Sequence, residues 1–256
     1  MKKSLRVGLH RLFRRALIRI KSVAADPPKN WQLAADEEGD FWAHWLWTRG
    51  GEWPEEFQAR CDPNFPLQQH ITDIFARPVG ATVRILDVGA GPLTYLGKQW
   101  VGRTVKITAV DPLAETYDKL LAQHHVEPLV RTEKGDAERL TDLFPANTFD
   151  LVHARNCIDH GYDPALAIQQ MVAVTKPGGL VYMHHAVNEA EKQQYEGFHQ
   201  WNLYAQDGDF LVGNQTQTVN VTQVLAGIAE VHNHLYDGGI WMTNLLWKYP
   251  VSRGRS

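Results

Sequence analysis

The chain has 256 residues and a formal net charge of −3, and 44% of its residues are hydrophobic. That length allows one α/β domain with additions and a sizeable core. The charge balance indicates no polyanionic partner, two cysteines are too few for a disulfide framework, and no apolar run has membrane-spanning length.

Residues 1–23 have a basic amphipathic pattern. The first 21 residues contain eight Lys and Arg and no acid, which leaves 18 bases against 29 acids in the remainder. At helical spacing Leu5, Leu9 and Leu12 share one side, with arginines opposite. The pattern predicts peripheral contact with an anionic membrane surface, so the predicted location is the cytoplasm or the inner membrane face. A helix docked on its own domain and an organelle presequence are the alternatives.

Residues 24–80 are predicted to form a linker, up to Asn30, and then a helical cap. Five of the nine tryptophans lie in this stretch: Trp31, Trp42, Trp45, Trp47 and Trp53. Gly50 and Gly51 end one predicted helix, and Pro54 stands near the start of another. The rings predict either plain packing against a sheet or an aromatic lid over an acceptor site.

A glycine-rich bend before the middle of the chain indicates a ligand-binding site. The apolar run over 83–88 predicts a buried parallel strand, and Gly89 and Gly91 predict a tight turn into a helix. Asp87 precedes the turn, and Thr94 stands where a dinucleotide fingerprint requires its third glycine. A carboxylate beside the turn repels a pyrophosphate and suits a cationic ligand.

The next predicted strand, over 105–110, ends in Asp111, which follows Asp87 by about the interval that a nucleotide-binding βαβ unit uses to place an acid on ribose hydroxyls. Ribose, a positive centre and the lack of a phosphate together describe S-adenosylmethionine. A crossover helix is predicted over 112–123.

Five motifs in order carry a resemblance to a known family. They are Asp-Val-Gly-Ala-Gly at 87–91, Val-Asp at 110–111, Gly-Asp-Ala-Glu at 135–138, Phe-Asp-Leu-Val at 149–152 and Lys-Pro-Gly-Gly at 176–179. The set resembles the class I S-adenosylmethionine-dependent methyltransferases over roughly residues 80–250. The resemblance implies a methyltransferase with an α/β fold. Its Rossmann-like sheet would have seven strands, mostly parallel, with a C-terminal antiparallel hairpin, and here an N-terminal helical cap.

The resemblance also implies contacts with the cofactor, S-adenosyl-L-methionine. An acid after the third strand bonds the adenine amino group in this family, and the next backbone N–H reads the ring, which points to Asp136 and Ala137. Asp136 is alternatively an ordinary N-cap of a helix that starts at Ala137, and the two roles are compatible. The predicted cofactor-binding residues are Asp87, Gly89, Ala90, Gly91, Asp111, Pro112, Asp136, Ala137 and Asn156.

Three histidines are candidate catalytic bases. His160 follows the fourth predicted strand, over 149–155, at the sheet edge where open α/β folds bind ligands, and histidine is the side chain best suited to act as a base near neutral pH. The alternative is that it only caps the next helix and shapes the pocket. His185 follows His184 at the end of a strand predicted over 180–184; one of the two is expected to face the acceptor and the other to pack. His199 lies in an insertion over 186–219, which is predicted to form the second wall of the acceptor pocket.

A last helix is predicted over 222–228, and strands over 230–236 and 241–247 are predicted to complete the sheet as a hairpin. His232 and His234 share one strand face, but no carboxylate was identified beside them, so no metal site is predicted.

The leading hypothesis is an O-methyltransferase that acts on a saccharide or lipid-linked acceptor. Residues 47–57 resemble the leader of methyltransferases associated with cell-surface polysaccharide assembly. The alternatives are methylation of a small lipophile such as a quinone or fatty acid, a catalytically silent cofactor-binding module, and an NAD-dependent dehydrogenase. No nucleic-acid partner is predicted, because the body is acidic and no Asn/Asp-Pro-Pro-aromatic motif follows the fourth strand.

Overall fold

The computed structural model describes residues 29–250, with side chains from residue 34 onward. The basic amphipathic segment over 1–23 lies outside the described residues, as does most of the predicted linker. Lys29 and Asn30, which were assigned to that linker, already belong to the first helix.

A large sheet forms the centre of the fold and a small sheet lies beside it. The strands are β1 Thr82–Val88, β2 Thr104–Asp111, β3 Thr132–Lys134, β4 Phe149–Arg155, β5 Thr175–Ala186, β6 Asn202–Gln206, β7 Asp209–Gly213, β8 Thr218–Asn220, β9 Ala229–Tyr236 and β10 Trp241–Lys248. The large sheet has the order β3-β2-β1-β4-β5-β10-β9, and the small antiparallel sheet has the order β6-β7-β8. Strands β1 to β5 pair in parallel, and β10 is antiparallel to both β5 and β9. The predicted seven-stranded α/β sheet with a C-terminal hairpin is therefore confirmed.

Short helices flank these sheets. They are α1 Lys29–Trp47, α2 Pro54–Cys61, α3 Gln69–Thr72, α4 Ala114–Gln123, α5 Leu140–Leu143, α6 Pro164–Val174, α7 Glu189–Lys192 and α8 Val221–Val224. Pro54 stands in the first turn of α2, where its missing N–H leaves no helical hydrogen bond unmade. Asp163 caps α6, because its carboxylate accepts the Leu166 N–H at 3.0 Å. None of the helices within residues 29–250 combines the length and apolar character that crossing a bilayer requires.

The helix predicted after the glycine bend does not form. Between Gly91 and β2 the chain makes irregular turns, and Gln99 forms a parallel β-bridge with Pro66 from the segment before β1. Gly97 allows this close approach, since a Cβ there would lie 1.9 Å from the Pro66 carbonyl oxygen. Gly97 and Thr94 are also weak helix formers. The backbone of this segment therefore pairs with a distant segment and not with itself.

Two predicted boundaries also differ. The Lys-Pro-Gly-Gly motif at 176–179, predicted as a turn, lies within β5, where the register with β4 shifts between Phe149 and Leu151. The helix predicted over 222–228 is α8, which ends at Val224.

Apolar side chains cover both faces of the large sheet. Because side chains alternate along a strand, Leu151 and Val152 of β4 face opposite sides. Leu151 belongs to a buried cluster with Ile71 of α3, whereas Val152 packs in a cluster with Met171 of α6 and Phe210 of β7. With both faces covered, the polar residues collect at the carboxyl ends of the parallel strands.

Candidate active site

A cavity of about 580 Å³ lies at the carboxyl ends of the parallel strands. Helices α1 and α2, the glycine bend, the loops after β2, β3 and β4, and the 186–219 insertion all contribute to its wall. The predicted site residues that line it are Asp87, Gly89, Ala90, Gly91, Asp111, Pro112, Asp136, Ala137, Asn156, His160 and His199. The structure thus brings together every predicted cofactor-binding residue and two of the three candidate bases, while their roles stay predictions.

His185 does not line this cavity. Its side chain is 3% exposed, its Nε2 lies 2.6 Å from the Asn244 Oδ1 of β10, and its ring packs beside Phe210. The alternation along β5 turns it toward the small sheet, and its neighbour His184 toward the opposite face. His185 is therefore a packing residue that joins β5 to β10, and including it among the candidate bases was wrong.

The bend after β1 has a shape that only glycine fits. Gly89 and Gly91 have φ values of +64° and +65°, in the left-handed region that favours glycine. A Cβ on Gly89 would lie 2.4 Å from the Cys157 Sγ, and one on Gly91 would lie 2.8 Å from the Trp42 ring. The absence of these two Cβ atoms lets the loop after β4 and helix α1 approach the bend.

The amides of the bend are already bonded within the protein. The N–H groups of Gly89 and Ala90 donate to the Val110 carbonyl at 2.9 and 3.2 Å, and the Gly91 N–H donates to the Asp111 Oδ2 at 3.1 Å. The free helix N-terminus expected here is absent, so the bend offers little to a phosphate. It suits a nucleoside that carries no phosphate.

Asp111 ends β2 as a buried carboxylate at the cavity wall. Its Oδ1 accepts the Leu113 N–H at 2.9 Å, and its Oδ2 accepts the Gly91 N–H. Burial raises the pKa of Asp111 to about 6 in spite of these two hydrogen bonds. The Tyr117 hydroxyl adds a further hydrogen bond, and the lone-pair capacity that remains fits a hydroxyl of a ribose.

Asp87 is held by the protein through both oxygens. Its Oδ2 accepts the Thr94 hydroxyl at 2.5 Å, and its Oδ1 lies 2.6 Å from the His153 Nδ1. Thr94 thus has a role of its own at this position, because its hydroxyl holds the Asp87 carboxylate beside the bend. Both oxygens of Asp87 thus have a partner within the protein, and contact of this carboxylate with a cationic ligand stays a prediction.

Asp136 follows β3 and does not cap the turn after it. The 3₁₀ turn Ala137–Arg139 receives no side-chain hydrogen bond from Asp136, so the N-cap alternative was wrong. Burial raises the pKa of this half-buried carboxyl. Asp136 makes no side-chain hydrogen bond to residues of the 29–250 range, so it is free to accept one from an amino group such as that of adenine.

Glu138 is a cavity residue to which sequence analysis assigned no role. It is 3% exposed, its Oε1 accepts the Asp163 N–H at 3.1 Å, and burial raises its pKa to about 7. A Cβ on Gly161 would lie 2.5 Å from the same oxygen. The glutamate thus fixes the loop after β4 against the Asp136 turn.

An aspartate and a histidine from distant segments meet on the acceptor side. His199 Nδ1 lies 2.8 Å from the Asp159 Oδ2, and His160 Nε2 lies 3.6 Å from that oxygen. Burial by itself lowers the pKa of His199, but the hydrogen bond and the negative charge of Asp159 outweigh it and raise this pKa above its ordinary value. Asp159 itself is buried, and although burial raises its pKa, His160 and His199 lower it on balance, so its carboxylate stays charged.

The tryptophan-rich cap both packs and lines the cavity. Trp45 is 4% exposed and packs with Phe57 of α2, while Trp42 covers the bend and donates from Nε1 to Glu38 at 2.8 Å. Phe41 and Trp53 line the mouth of the cavity and are 48% and 55% exposed. Some rings of the cap therefore pack in the core and others line the cavity, while a lid over an acceptor stays a prediction.

Comparisons with known proteins agree with this geometry. Residues 86–183 match a family model described as a methyltransferase domain. An uncharacterized methyltransferase of Schizosaccharomyces pombe is 36% identical over 110 residues, 40% of each chain. A ubiquinone biosynthesis O-methyltransferase of Pseudomonas paraeruginosa is 31% identical over 143 residues, 55% of this chain and 57% of that one. The chain thus spans about half the length of the curated relatives it matches. The crystal structure of a putative S-adenosyl-L-methionine-dependent methyltransferase from Methanococcus maripaludis covers 91% of this chain with a TM-score of 0.50 at 16% identity.

The sheet, the bend and the family match define a class I methyltransferase domain. Residues 86–183 carry this methyltransferase domain, which confirms the family resemblance and the cofactor predicted from its motifs, S-adenosylmethionine.

The bend gives a first prediction. Gly89→Ala is expected to destabilise the fold by roughly 1–2 kcal/mol through its positive φ, and further through the contact with Cys157. Gly208→Ala is the matched control, because Gly208 has φ +88° but a Cβ there meets nothing within 4 Å. Thermal unfolding and titration with S-adenosylhomocysteine measure both effects. Equal losses in the two variants would contradict a steric role for the bend, and Cys157→Ala in the Gly89→Ala background is expected to recover part of the loss.

Proposed function

We propose that this protein transfers a methyl group from S-adenosylmethionine to a hydroxyl oxygen of a saccharide or lipid-linked acceptor. The observation that carries the proposal is the Asp159–His199 pair, of which His199 lies on the wall of the same cavity as the glycine bend. S-adenosylmethionine, when bound, supplies an electrophilic methyl group on a positively charged sulfur.

The chain's own residues align the reactants and remove one proton. With Nδ1 of His199 donating to Asp159, the Nε2 lone pair of the ring is left to accept the proton of the acceptor hydroxyl. The negative charge of Asp159 stabilises the imidazolium that forms. Trp42 covers the bend and reduces the access of water, which suits a displacement that depends mainly on alignment.

Flat rings at the mouth of the cavity support the acceptor class. Phe41, Trp53 and Trp241 line it, and none of the three is buried. Aromatic faces of this kind stack on the apolar faces of sugar rings. The resemblance of residues 47–57 to the leader of polysaccharide-associated methyltransferases supports the same class.

A second candidate acceptor is a small lipophile such as a quinone. The O-methyltransferases of ubiquinone biosynthesis from Pseudomonas that match over half of this chain favour it, and the same exposed rings would stack on a quinol. Both candidates share the hydroxyl acceptor and therefore the same base.

Methyl-labelled S-adenosylmethionine distinguishes the candidates. The full chain is incubated with cell-surface glycans, with lipid-linked sugars and with a demethylated quinol, and label in the product is measured. We expect label on a sugar oxygen. Label on the quinol alone would replace the saccharide by the second candidate, and tight S-adenosylhomocysteine binding without transfer to any hydroxyl would overturn the proposed activity.

The basic segment over 1–23 supports a peripheral location at a membrane. Removal of these residues is expected to abolish binding to vesicles of anionic lipid and to leave S-adenosylhomocysteine affinity unchanged, because the apolar side and the arginines act together on the lipid surface. Sedimentation with anionic and with neutral vesicles measures the effect. Undiminished binding of the shortened chain to anionic vesicles would contradict the membrane role.

A further inference from the structure

We infer that Arg155 forms an anion subsite in the acceptor part of the cavity, which takes a carboxylate or phosphate group on the acceptor. The inference rests on the proposed function and narrows its substrate class. Arg155 is the last residue of β4 and lines the cavity, and its side chain is 31% exposed. No motif or predicted role had singled it out.

The carboxylate nearest to Arg155 is already occupied by another arginine. Arg60 donates to the Glu56 Oε1 from Nε at 3.1 Å and from Nη2 at 2.5 Å, and its Nη1 donates to the Leu93 carbonyl. Arg155 adds one hydrogen bond from Nη1 to the same oxygen at 3.0 Å. One acid thus serves two guanidinium groups, and Arg155 holds it by a single hydrogen bond.

The other aspartates of the cavity make no hydrogen bond to Arg155. Asp87 is bonded to Thr94 and His153, and its charge also acts on Arg60. Asp111 ends β2 and Asp136 follows β3, and both strands lie beyond β1 from β4 in the sheet order. Glu56 is therefore the carboxylate that Arg155 contacts, and Arg155 shares it with Arg60.

Neighbouring rings hold the guanidinium in place. Its carbon lies 4.1 Å from the centre of the Tyr95 ring, and a stacked guanidinium keeps its N–H groups at the edge of the stack. Its remaining N–H groups make no hydrogen bond to other residues between 29 and 250. They are open to a ligand in the cavity.

The next strand adds a flat surface without adding charge. His184 is paired with Arg155 across β4 and β5 and stacks on Trp241 at 5.1 Å between ring centres. Burial, and then the charge of Arg155, lower the pKa of His184 to about 4, so the ring is neutral near pH 7. Trp241 and Arg155 line the same cavity, so a sugar ring stacked on Trp241 would share it with the Arg155 guanidinium.

A planar guanidinium with free N–H groups matches the paired oxygens of a carboxylate or phosphate. Two acceptors share that chemistry, a uronic-acid sugar and a sugar joined to a lipid through phosphate. A neutral sugar or a quinol has no such anionic group.

Binding to the full chain saturated with S-adenosylhomocysteine tests the inference without requiring turnover. The probes are methyl glucuronide, farnesyl phosphate and the neutral methyl glucoside, followed by ligand-observed magnetic resonance. We expect the anionic probes to bind, Arg155→Gln to weaken them about tenfold or more, and Arg155→Lys to recover part of the loss. Arg131→Gln, at an exposed arginine paired with Asp118, is expected to change nothing.

The three probes and the variants distinguish the possible results. Selective loss of glucuronide binding indicates the uronic acid, and selective loss of farnesyl phosphate binding indicates the lipid phosphate; either supports the subsite. Equal binding of the neutral glucoside, or unchanged binding by Arg155→Gln, would overturn it. A fall in S-adenosylhomocysteine affinity in Arg155→Gln would also overturn it, because the guanidinium would then serve the cofactor's carboxylate. Anion binding through Arg155 in a chain that never transfers methyl would instead count against the proposed function alone.

Discussion

Asp111→Asn is expected to weaken S-adenosylhomocysteine binding about 100-fold. A hydrogen bond to a charged group contributes roughly 1.5–3 kcal/mol, and the carboxylate is placed to receive one from a ribose diol. The amide is nearly isosteric, so it removes the charge and one acceptor while filling the same buried space. Calorimetric titration measures the affinity.

Asp118→Asn provides the control. Asp118 lies on α4, close in sequence to Asp111, but it is exposed and pairs with Arg131, so the same chemical change there is expected to leave affinity unaltered. Because Asp111 also accepts backbone N–H groups, circular dichroism and thermal unfolding are recorded on both variants. A folded Asp111→Asn protein with wild-type affinity would refute the assignment of the ribose site.

The pKa of Asp111 adds a pH dependence with a definite sign. Burial raises this pKa to about 6, so the carboxylate is charged above that pH and protonated below it. Affinity of the wild-type protein is expected to fall as the pH drops through about 6, and the affinity of Asp111→Asn to stay flat there. A fall of equal size in both proteins would assign the titration to another group.

The parts of this fold that sequence analysis predicted are those with local causes. Apolar runs that end in an acid or a glycine pair defined β1, β2 and β4, because buried parallel strands consist of continuous apolar residues. Gly89 and Gly91 were recognisable for the same reason, since a left-handed bend restricts the residue type at its own position.

The parts that were missed depend on contacts between distant segments. The irregular path after Gly91 follows from pairing with Pro66, and the role of Thr94 follows from where that path places its hydroxyl. The role inferred for Arg155 depends on its contact with Glu56, which is 99 residues away in sequence. Neither the spacing of apolar residues nor a motif in a single sequence indicates these pairings.

His185 illustrates a different limit. Sequence analysis expected one of the adjacent residues His184 and His185 to face the acceptor, but neither lines the cavity. The insertion over 186–219 accounts for the burial of His185. Its small sheet covers the side of His185, while its Phe198–His199 segment reaches the cavity.

His199→Ala is expected to reduce kcat by about 10²–10⁴-fold, the range of a general base, with S-adenosylhomocysteine affinity unchanged. His160→Ala is the matched comparison on the same wall and is expected to have the smaller effect, because the hydrogen bond to Asp159 belongs to His199. His232→Ala, at an exposed histidine of β9, controls for the loss of an imidazole. A larger loss in His160→Ala would instead assign the base to His160. Loss of activity on adding a chelator would indicate a metal-dependent reaction and contradict proton transfer to His199.

The pH profile separates a base from a residue that merely packs. A base must be neutral to accept a proton, and Asp159 raises the pKa of His199 above its ordinary value, so the wild-type rate is expected to fall as the pH drops through that raised pKa. In Asp159→Asn the charge that raises the pKa is gone, while burial, which lowers it, remains. The acidic limb of the profile is therefore expected to move to lower pH even as kcat falls. A limb that stays in place in Asp159→Asn would show that His199 is not the group that titrates.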